Sequence, residues 1–148
     1  MEVRHATHDD IPRIVEMAEK FYPMTRYVHH FPMKKECAAG LAILMMGSNT
    51  MLVAEVAGEV IGMIGTYIDP FTFNDEYLVA KEIIWWVEPE HHGSGVGRTL
   101  LREAEIASAR AGAELIVMMD LADNPVSERV YRQEGYYHSE NSWSKALG

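Results

Sequence analysis

The sequence predicts an α+β domain in which one mixed, mostly antiparallel sheet of six to seven strands is flanked by four helices, all within residues 1–148. Segments with strand and helix periodicity alternate in the order β-α-α-β-β-β-α-β-α-β. Short connections join strands two to four, which predicts an antiparallel meander. Between residues 83 and 101 a strand, a glycine-rich turn and a helix follow one another, and this unit requires a parallel crossover.

The N-terminal half predicts an edge strand, two helices and three strands. Residues 1–6 alternate in polarity, and residues 7–10 offer capping side chains for a helix that starts near Ile11, with Pro12 in its first turn. A second, Ala/Leu/Met-rich helix covers residues 34–46 and ends near Gly47. Strands are expected at 51–56 and 60–68 around a short glycine-containing turn. A turn-rich extension at 69–74 then leads to a fourth strand at 81–87.

The C-terminal half predicts two helices and the remaining strands. The third helix follows the glycines and ends near Gly112, and a buried strand covers residues 115–121. Asn124 is the expected cap of a fourth helix that begins at Pro125 and is terminated by Gly135. Residues 136–147 are expected to supply a last strand or two.

Composition and charge narrow the function classes. The net charge of −9 disfavours nucleic acid as a partner, because binding a phosphate backbone needs a basic surface. The same negative charge either attracts positively charged small substrates or only provides solubility, and both interpretations stay open. No apolar run reaches the ~20 residues of a membrane span, and the polar N-terminus does not resemble a signal peptide. With one cysteine, Cys37, and seven histidines without metal-ligand spacing, we expect a cytoplasmic protein without a metal site.

The glycine-rich turn predicts an anion site. Gly93, Gly95 and Gly97 directly precede the third helix, whose first amides and positive dipole end would face a bound anion. A pyrophosphate suits this arrangement best. The spacing fits neither the dinucleotide fingerprint G-x-G-x-x-G nor the nucleotide loop that ends in Gly-Lys-Ser/Thr.

Two motifs resemble those of the GNAT superfamily of N-acyltransferases. The family's Val-x-Pro and its loop Arg/Gln-x-x-Gly-x-Gly/Ala correspond to residues 87–89 and 92–97, with His92 in place of Arg or Gln. A histidine still donates a hydrogen bond, but it lacks the permanent charge of arginine. Residues 124–136 match the family's Asn-x-x-Ala-x-x-x-Tyr-x-x-x-Gly-Phe/Tyr apart from Ser127, so the resemblance covers nearly the whole chain.

The resemblance implies acetyl-CoA, or a related acyl-CoA, as co-substrate. The implied reaction is direct transfer of the acetyl group, in a ternary complex, to a primary amine on a small molecule. A peptide or protein amine is the second option, and an inactive CoA-binding sensor on the same scaffold is the alternative. Homodimers are common in the family. The implied CoA-binding residues are Trp86, Val87, His92, Gly93, Ser94, Gly95, Val96, Gly97, Arg98, Asn124 and Ser127.

Two residues are candidates for the chemistry. In the resemblance Tyr131 lies beside the thioester sulfur, where it would protonate the leaving thiolate. Glu82, at the start of the fourth strand, is either a general base or an exposed residue at the strand end. The connection between the first two helices would cover the acceptor, so Tyr22, Tyr27, His29 and Phe31 are candidates for substrate contact, or else aromatic anchors of the loop to the core.

Overall fold

Five strands form one sheet in chain order, β1-β2-β3-β4-β5, in a computed structural model that describes residues 1–126 and 128–148. Neighbouring strands are antiparallel except β4 and β5, which are parallel. The α+β class and the parallel crossover are therefore confirmed. The elements are β1 (Glu2–His5), α1 (Ile11–Phe21), α2 (Lys35–Gly47), β2 (Met51–Val56), β3 (Glu59–Phe71), β4 (Asn74–Val87), α3 (Val96–Arg110), β5 (Ala113–Val117) and α4 (Glu128–Gln133).

The sheet separates two apolar clusters because successive side chains of a strand point to opposite faces. Met51 and Val53 of β2 pack with α1 and α2, whereas Leu52 and Ala54 of the same strand pack with α3. One face of the sheet is thus covered by α1 and α2 and the other by α3. The prediction of helices on both faces is confirmed.

Local chemistry explains where the first helix begins. The Asp10 carboxylate accepts the Thr7 amide at 2.8 Å and pairs with both terminal nitrogens of the Arg4 guanidinium at 2.8 and 3.0 Å. This arrangement ties β1 to the turn before α1, and Pro12 then occupies the first helical turn. The expectation for residues 7–10 is met only in part, because Thr7 and Asp10 form a capping box around the short 3-10 turn His8–Asp10, while the Asp10 side chain caps no amide of α1 itself.

The expectation of a sixth and a seventh strand is wrong. From residue 137 to the end every residue is exposed, and Trp143 and Leu147 are 93% and 97% exposed. In the part of the chain that the structure describes, the sheet ends at β5. A strand needs a ladder partner and a face to bury, and this serine-containing segment finds neither within its own chain.

Three other predicted boundaries also differ. The region 69–74 is not an irregular extension, because β3 continues to Phe71 and β4 starts at Asn74, and ladder hydrogen bonds override the turn preference of Asp69 and Pro70. β5 is shorter than expected. The described part of α4 is Glu128–Gln133, and the predicted start at Pro125 is wrong, because residues 125 and 126 are not helical and Asp120 accepts the Val126 amide at 2.8 Å. Ser127 lies outside the described residues.

A glycine in β3 has no room for a side chain. A Cβ on Gly65 would lie 2.7 Å from the Met45 sulfur and 2.8 Å from the Met51 sulfur. We expect Gly65→Val to lower the free energy of unfolding by about 1–3 kcal/mol, because it overpacks this core. Gly40→Ala on α2 is the matched control: its Cβ would meet nothing within 4 Å, and helix propensity predicts a gain of about 0.5–1 kcal/mol. Urea denaturation measures both, and equal stability of the two variants would contradict the packing argument.

Candidate active site

The pairing between β4 and β5 stops partway along β4. The parallel ladder ends at the pair Lys81 and Val117, whereas β4 continues to Val87 while pairing only with β3 among the described residues. A register shift between Gly65 and Thr66 of β3 lies directly opposite this point. Such bulges re-aim strands and are frequent beside active sites. The result is an open edge along residues 82–87 of β4.

The glycine-rich loop stands at the end of this edge. Gly93 and Gly95 have φ of 78° and 87°, values that side chains strongly disfavour, so glycine is required at both positions. Gly95 caps α3, and the first backbone bond of the helix runs from the Thr99 amide to the Gly95 carbonyl at 3.0 Å. The amides of residues 96–98 precede this ladder and carry the positive end of the dipole. This geometry suits a pyrophosphate.

The charged residues near the loop are engaged elsewhere. The His92 imidazole Nε2 is 2.8 Å from the Val87 carbonyl oxygen, so its ring turns back to the end of β4. Arg98 bonds to Gln133 at 2.9 Å and lies 3.3 Å from Glu134. Arg102 makes two bonds of 2.9 Å to the same Glu134 carboxylate. An anion bound at this loop would therefore be held by the backbone amides of residues 96–98 more than by these two arginines.

A buried carboxylate anchors the start of this loop to α1. Glu88 is 5% exposed and accepts hydrogen bonds from Lys20 at 3.0 Å, from Arg13 at 3.3 Å and from the Trp86 indole at 3.3 Å. Burial pushes the pKa of Glu88 upward, but the Lys20 and Trp86 hydrogen bonds and the two positive charges outweigh it, so the pKa lies below its ordinary value. The Trp86 side chain therefore lies on the face of the sheet that α1 and α2 cover. The ion pairs of Glu88 with Lys20 and Arg13 hold the Val-x-Pro segment in place.

Glu82 lies where β4 and β5 separate. It is 9% exposed, and its carboxylate accepts the Met119 amide at 2.8 Å. Burial raises the pKa of Glu82 to about 7, the Met119 hydrogen bond opposes this rise, and the nearby Asp120 charge adds to it. The structure therefore excludes the expectation of an exposed strand end.

Tyr131 hydrogen-bonds to the backbone of the same residue, Met119, that binds Glu82. Its hydroxyl donates to the Met119 carbonyl at 3.1 Å, and its ring lies 6.2 Å from Trp85 and 5.4 Å from Tyr136. Burial, followed by the charges of Glu82 and Asp120, raises the pKa of Tyr131 above its ordinary value. The two candidate catalytic residues are brought together by Met119.

The loop between α1 and α2 is tied to the segment after β5. Arg26 makes two hydrogen bonds to Asp123, at 2.8 and 2.9 Å, and the Asn124 side chain donates to the Met24 carbonyl at 3.2 Å. Tyr22 donates to the Phe31 carbonyl at 2.6 Å and closes the loop on itself. Of the remaining predicted acceptor contacts, Tyr27, His29 and Phe31 are exposed. Ser127 lies outside the described part of the chain.

The sequence analysis did not identify three residues that shape the candidate site. Met119 acts through its backbone, which no side-chain pattern reveals. The Asp120 charge raises the pKa of both Glu82 and Tyr131, and Asp123 holds the loop between α1 and α2 through Arg26. The signal for the two aspartates was available, because polar residues that follow a buried strand at the carboxyl edge of a parallel pair commonly line sites.

The raised pKa of Glu82 predicts a pH-dependent stability difference. A carboxyl with a pKa of about 7 in the fold and 4.5 as its ordinary value stabilises the fold fully below pH 4.5, and this contribution is lost as the pH rises through 7. Glu82→Gln keeps an oxygen for the Met119 amide but cannot ionise. We expect the variant to match wild type near pH 4.5 and to exceed its free energy of unfolding by up to about 3 kcal/mol above pH 7.

Denaturant unfolding between pH 4.5 and 8 measures this difference. Glu76→Gln, an exposed position on the same strand, is the control and should show a difference that does not change with pH. A pH-independent difference for Glu82→Gln would contradict the burial argument.

Comparison with known proteins places this geometry in a family. The model of the Acetyltransferase (GNAT) family matches residues 11–136. The aminoglycoside antibiotic 6'-N-acetyltransferase AAC(6')-IG from Acinetobacter haemolyticus is 18% identical, with a TM-score of 0.71 and 100% of each chain covered. A predicted acetyltransferase from Clostridium acetobutylicum, solved with acetyl-CoA, is 14% identical, with a TM-score of 0.74 over 99% of this chain and 96% of that one.

A transcriptional regulator from Bacillus halodurans C-125 is similar as well, at 20% identity and a TM-score of 0.76 over 99% of both chains. At such identities the structural likeness establishes the fold. Among helices in the described residues, none has the length and apolar character that a bilayer-spanning segment requires. The family match extends over most of the sequence, and the chain belongs to the GNAT family of acetyltransferases.

Proposed function

We propose that this protein transfers an acetyl group from acetyl-CoA to a primary amine by direct attack in a ternary complex. The observation that supports the proposal most is the backbone of Met119, whose amide and carbonyl hydrogen-bond to Glu82 and Tyr131, respectively, where β4 and β5 separate. A carboxylate that can accept a proton and a hydroxyl that can donate a hydrogen bond therefore lie near one another at one end of the open edge of β4. Acyl transfer to an amine needs these two groups.

Acetyl-CoA would be held mainly by the backbone. The amides of residues 96–98 and the glycine conformations at 93 and 95 suit its pyrophosphate, and the open edge of β4 at Trp86 and Val87 offers polar groups to its extended arm. When bound, acetyl-CoA supplies the acyl carbonyl that the amine attacks and the thiolate that leaves. The fold of a neighbour solved with acetyl-CoA supports this assignment.

Glu82 is the proposed general base. An amine with a pKa near ~10 is mostly protonated at neutral pH and must lose a proton before it can attack. A carboxylate with a pKa of about 7 is half ionised at neutral pH and accepts a proton far more readily than an ordinary glutamate. Its burial against Met119 places it inside the sheet, so the proton transfer would run directly or through one water.

Tyr131 is proposed to stabilise the departing sulfur. Its raised pKa keeps the proton on the hydroxyl, which favours hydrogen-bond donation to the thiolate over complete proton transfer. That donation would replace the present hydrogen bond to the Met119 carbonyl. The hydroxyl would need only to turn, because tilted ring contacts with Trp85 and Tyr136 already hold the ring of Tyr131.

The acceptor is proposed to be a small molecule with a primary amine. The net charge of −9 and the carboxylates of Glu82 and Asp120 favour a cationic acceptor over an anionic one. A neighbour named as an aminoglycoside acetyltransferase represents the small-molecule option, whereas a ribosomal-protein-alanine N-acetyltransferase from Brucella melitensis represents the protein-amine option. Tyr27, His29 and Phe31 would contact the acceptor from the tied loop.

The test is calorimetric titration with acetyl-CoA, followed by a screen of amines for release of the CoA thiol. Micromolar binding together with amine-dependent thiol release supports the proposal. Binding without turnover by any amine would favour the sensor alternative instead. Absence of binding at millimolar acetyl-CoA would overturn both.

Substitution of Tyr131 separates its chemical role from a packing role. We expect Tyr131→Phe to lower kcat by about 10- to 100-fold while the Kd for acetyl-CoA stays within about twofold, because only the hydroxyl is removed. Tyr136→Phe is the matched control: it removes the hydroxyl that donates to Glu105 at 2.9 Å, and kcat should hold. Equal turnover by Tyr131→Phe and wild type would remove Tyr131 from the mechanism.

The histidine in the loop predicts a gain of affinity on substitution. His92→Arg restores the residue type that the family motif carries and adds a permanent charge beside the anion site. We expect the Kd for acetyl-CoA to fall by about three- to tenfold in calorimetry at low salt, and the gain to shrink at high salt. His91→Arg adds the same charge on the preceding turn and should change the Kd by less than twofold. A gain of the same size in both variants would mean that general charge, and not position 92, controls binding.

A further inference from the structure

The α1–α2 loop, residues 22–34, exposes two of its aromatic side chains instead of burying them. Tyr27 is 56% exposed and Phe31 is 67% exposed. An aromatic anchor of a loop is buried against the core, so the structure excludes the anchoring alternative for these two residues. Exposed rings that are close in the chain are a feature of surfaces that a ligand covers.

The two rings lie on the same side of the loop. The Phe31 amide donates a hydrogen bond to the Tyr27 carbonyl at 3.0 Å, so the backbone makes one helical turn between them. Side chains four residues apart on such a turn are neighbours. The Tyr22 hydroxyl donates to the Phe31 carbonyl at 2.6 Å and holds the end of this turn. Tyr27 and Phe31, here called the ring pair, therefore form one apolar surface that backbone hydrogen bonds hold in shape.

An ion pair holds the ring pair beside the candidate active site. Arg26, the residue before Tyr27, makes two hydrogen bonds to Asp123, at 2.8 and 2.9 Å. Asp123 follows Met119 by four residues in the chain. The backbone of Met119 is bound by both candidate catalytic side chains. The surface that is available to the body of an acceptor is thus apolar and aromatic.

The charges around this surface favour an acceptor with a single ammonium group. Residues 22–34 contain no aspartate or glutamate, and their basic residues are Arg26, His29, His30 and Lys34. Asp123, which contacts the loop, is already paired with Arg26. Glu82 and Asp120 each accept a backbone amide and have no basic partner among the described residues. One ammonium is therefore matched at Glu82 and Asp120, whereas further ammonium groups would meet positive charge at the loop.

We infer that the acceptor is an aromatic monoamine, whose ring packs on Tyr27 and Phe31 while its amine reaches Glu82. This inference rests on the proposed acetyl transfer and narrows the class of acceptor. The nitrogen bonds to the acyl carbon as the carbon–sulfur bond breaks. Of the two protons that the ammonium loses, one passes to Glu82 and then to solvent, and the other passes to the departing sulfur.

Rates of CoA thiol release with three amines test the acceptor class. 2-Phenylethylamine carries one ammonium and a ring, ethylamine carries the same amine without the ring, and the aminoglycoside neamine carries several ammonium groups. We expect kcat/KM for 2-phenylethylamine to exceed the values for the other two by about 10-fold, because only this amine satisfies both the apolar surface and the single negative site.

A double substitution tests the ring pair itself. In Tyr27→Ala combined with Phe31→Ala, the ratio of kcat/KM for 2-phenylethylamine to that for ethylamine should fall by about 10-fold, mainly through KM. The circular dichroism spectrum should not change, because both side chains are exposed and their positions in the loop are held through backbone atoms. The matched control is Phe71→Ala with Phe73→Ala, an exposed pair at the β3–β4 turn whose ring centroids are 6.0 Å apart. This control should keep the ratio of wild type.

The outcomes separate this inference from the proposed function. Thiol release that is as fast with ethylamine or neamine as with 2-phenylethylamine overturns the inference and leaves acetyl transfer to amines standing. An unchanged ratio in the Tyr27 and Phe31 variant overturns it as well, as does an equal fall in the control. No thiol release with any amine, although acetyl-CoA binds, overturns the proposed function and this inference with it.

Discussion

The divergence of β4 from β5 constrains the whole site. If the parallel ladder ran on beyond Lys81 and Val117, the polar groups of residues 82–87 would be paired within the sheet and closed to a ligand. The opening is accompanied by a register shift at Gly65 and Thr66. The buried Glu82 side chain spans it by accepting a hydrogen bond from the Met119 amide beyond the end of β5. Glu82 therefore spans the opening, and its burial there raises its pKa to about 7.

Ion pairs within the protein engage basic residues on both sides of the glycine-rich loop. Glu134 engages Arg98 and Arg102, and the resulting contact joins the start of α3 to the end of α4. Glu88 takes Lys20 in the same way at the end of β4. The glycine-rich loop is thereby positioned from both sides by ion pairs, while anion binding is left to amides whose orientation the helix start determines.

Periodicity and turn chemistry predicted the fold class, the two central strands and the glycine-rich crossover, because these depend on local pattern. The sequence proposed Tyr131 and Glu82 as catalytic candidates, and those roles stay predictions. The backbone of Met119, which hydrogen-bonds to both, could not be predicted, because backbone contacts between distant segments carry no residue signature. The strand count failed for a different reason: residues 137–148 have the alternation of a strand, but pattern alone does not say whether a ladder partner exists within the same chain. The fourth helix does not include Pro125 and Val126, and Asp120 accepts the Val126 amide instead.

The backbone of Met119 also means that the two candidate catalytic groups are held by one residue. Its amide donates a hydrogen bond to Glu82 and its carbonyl accepts one from Tyr131, and these two polar groups belong to adjacent peptide units. When Glu82 gains a proton, one of the two charges that raise the pKa of Tyr131 disappears, whereas burial, the largest cause, and the Asp120 charge remain. In the proposed mechanism, proton uptake by Glu82 would therefore make Tyr131 a better hydrogen-bond donor to the departing sulfur. This order fits acyl transfer, since the amine loses its proton before the sulfur departs.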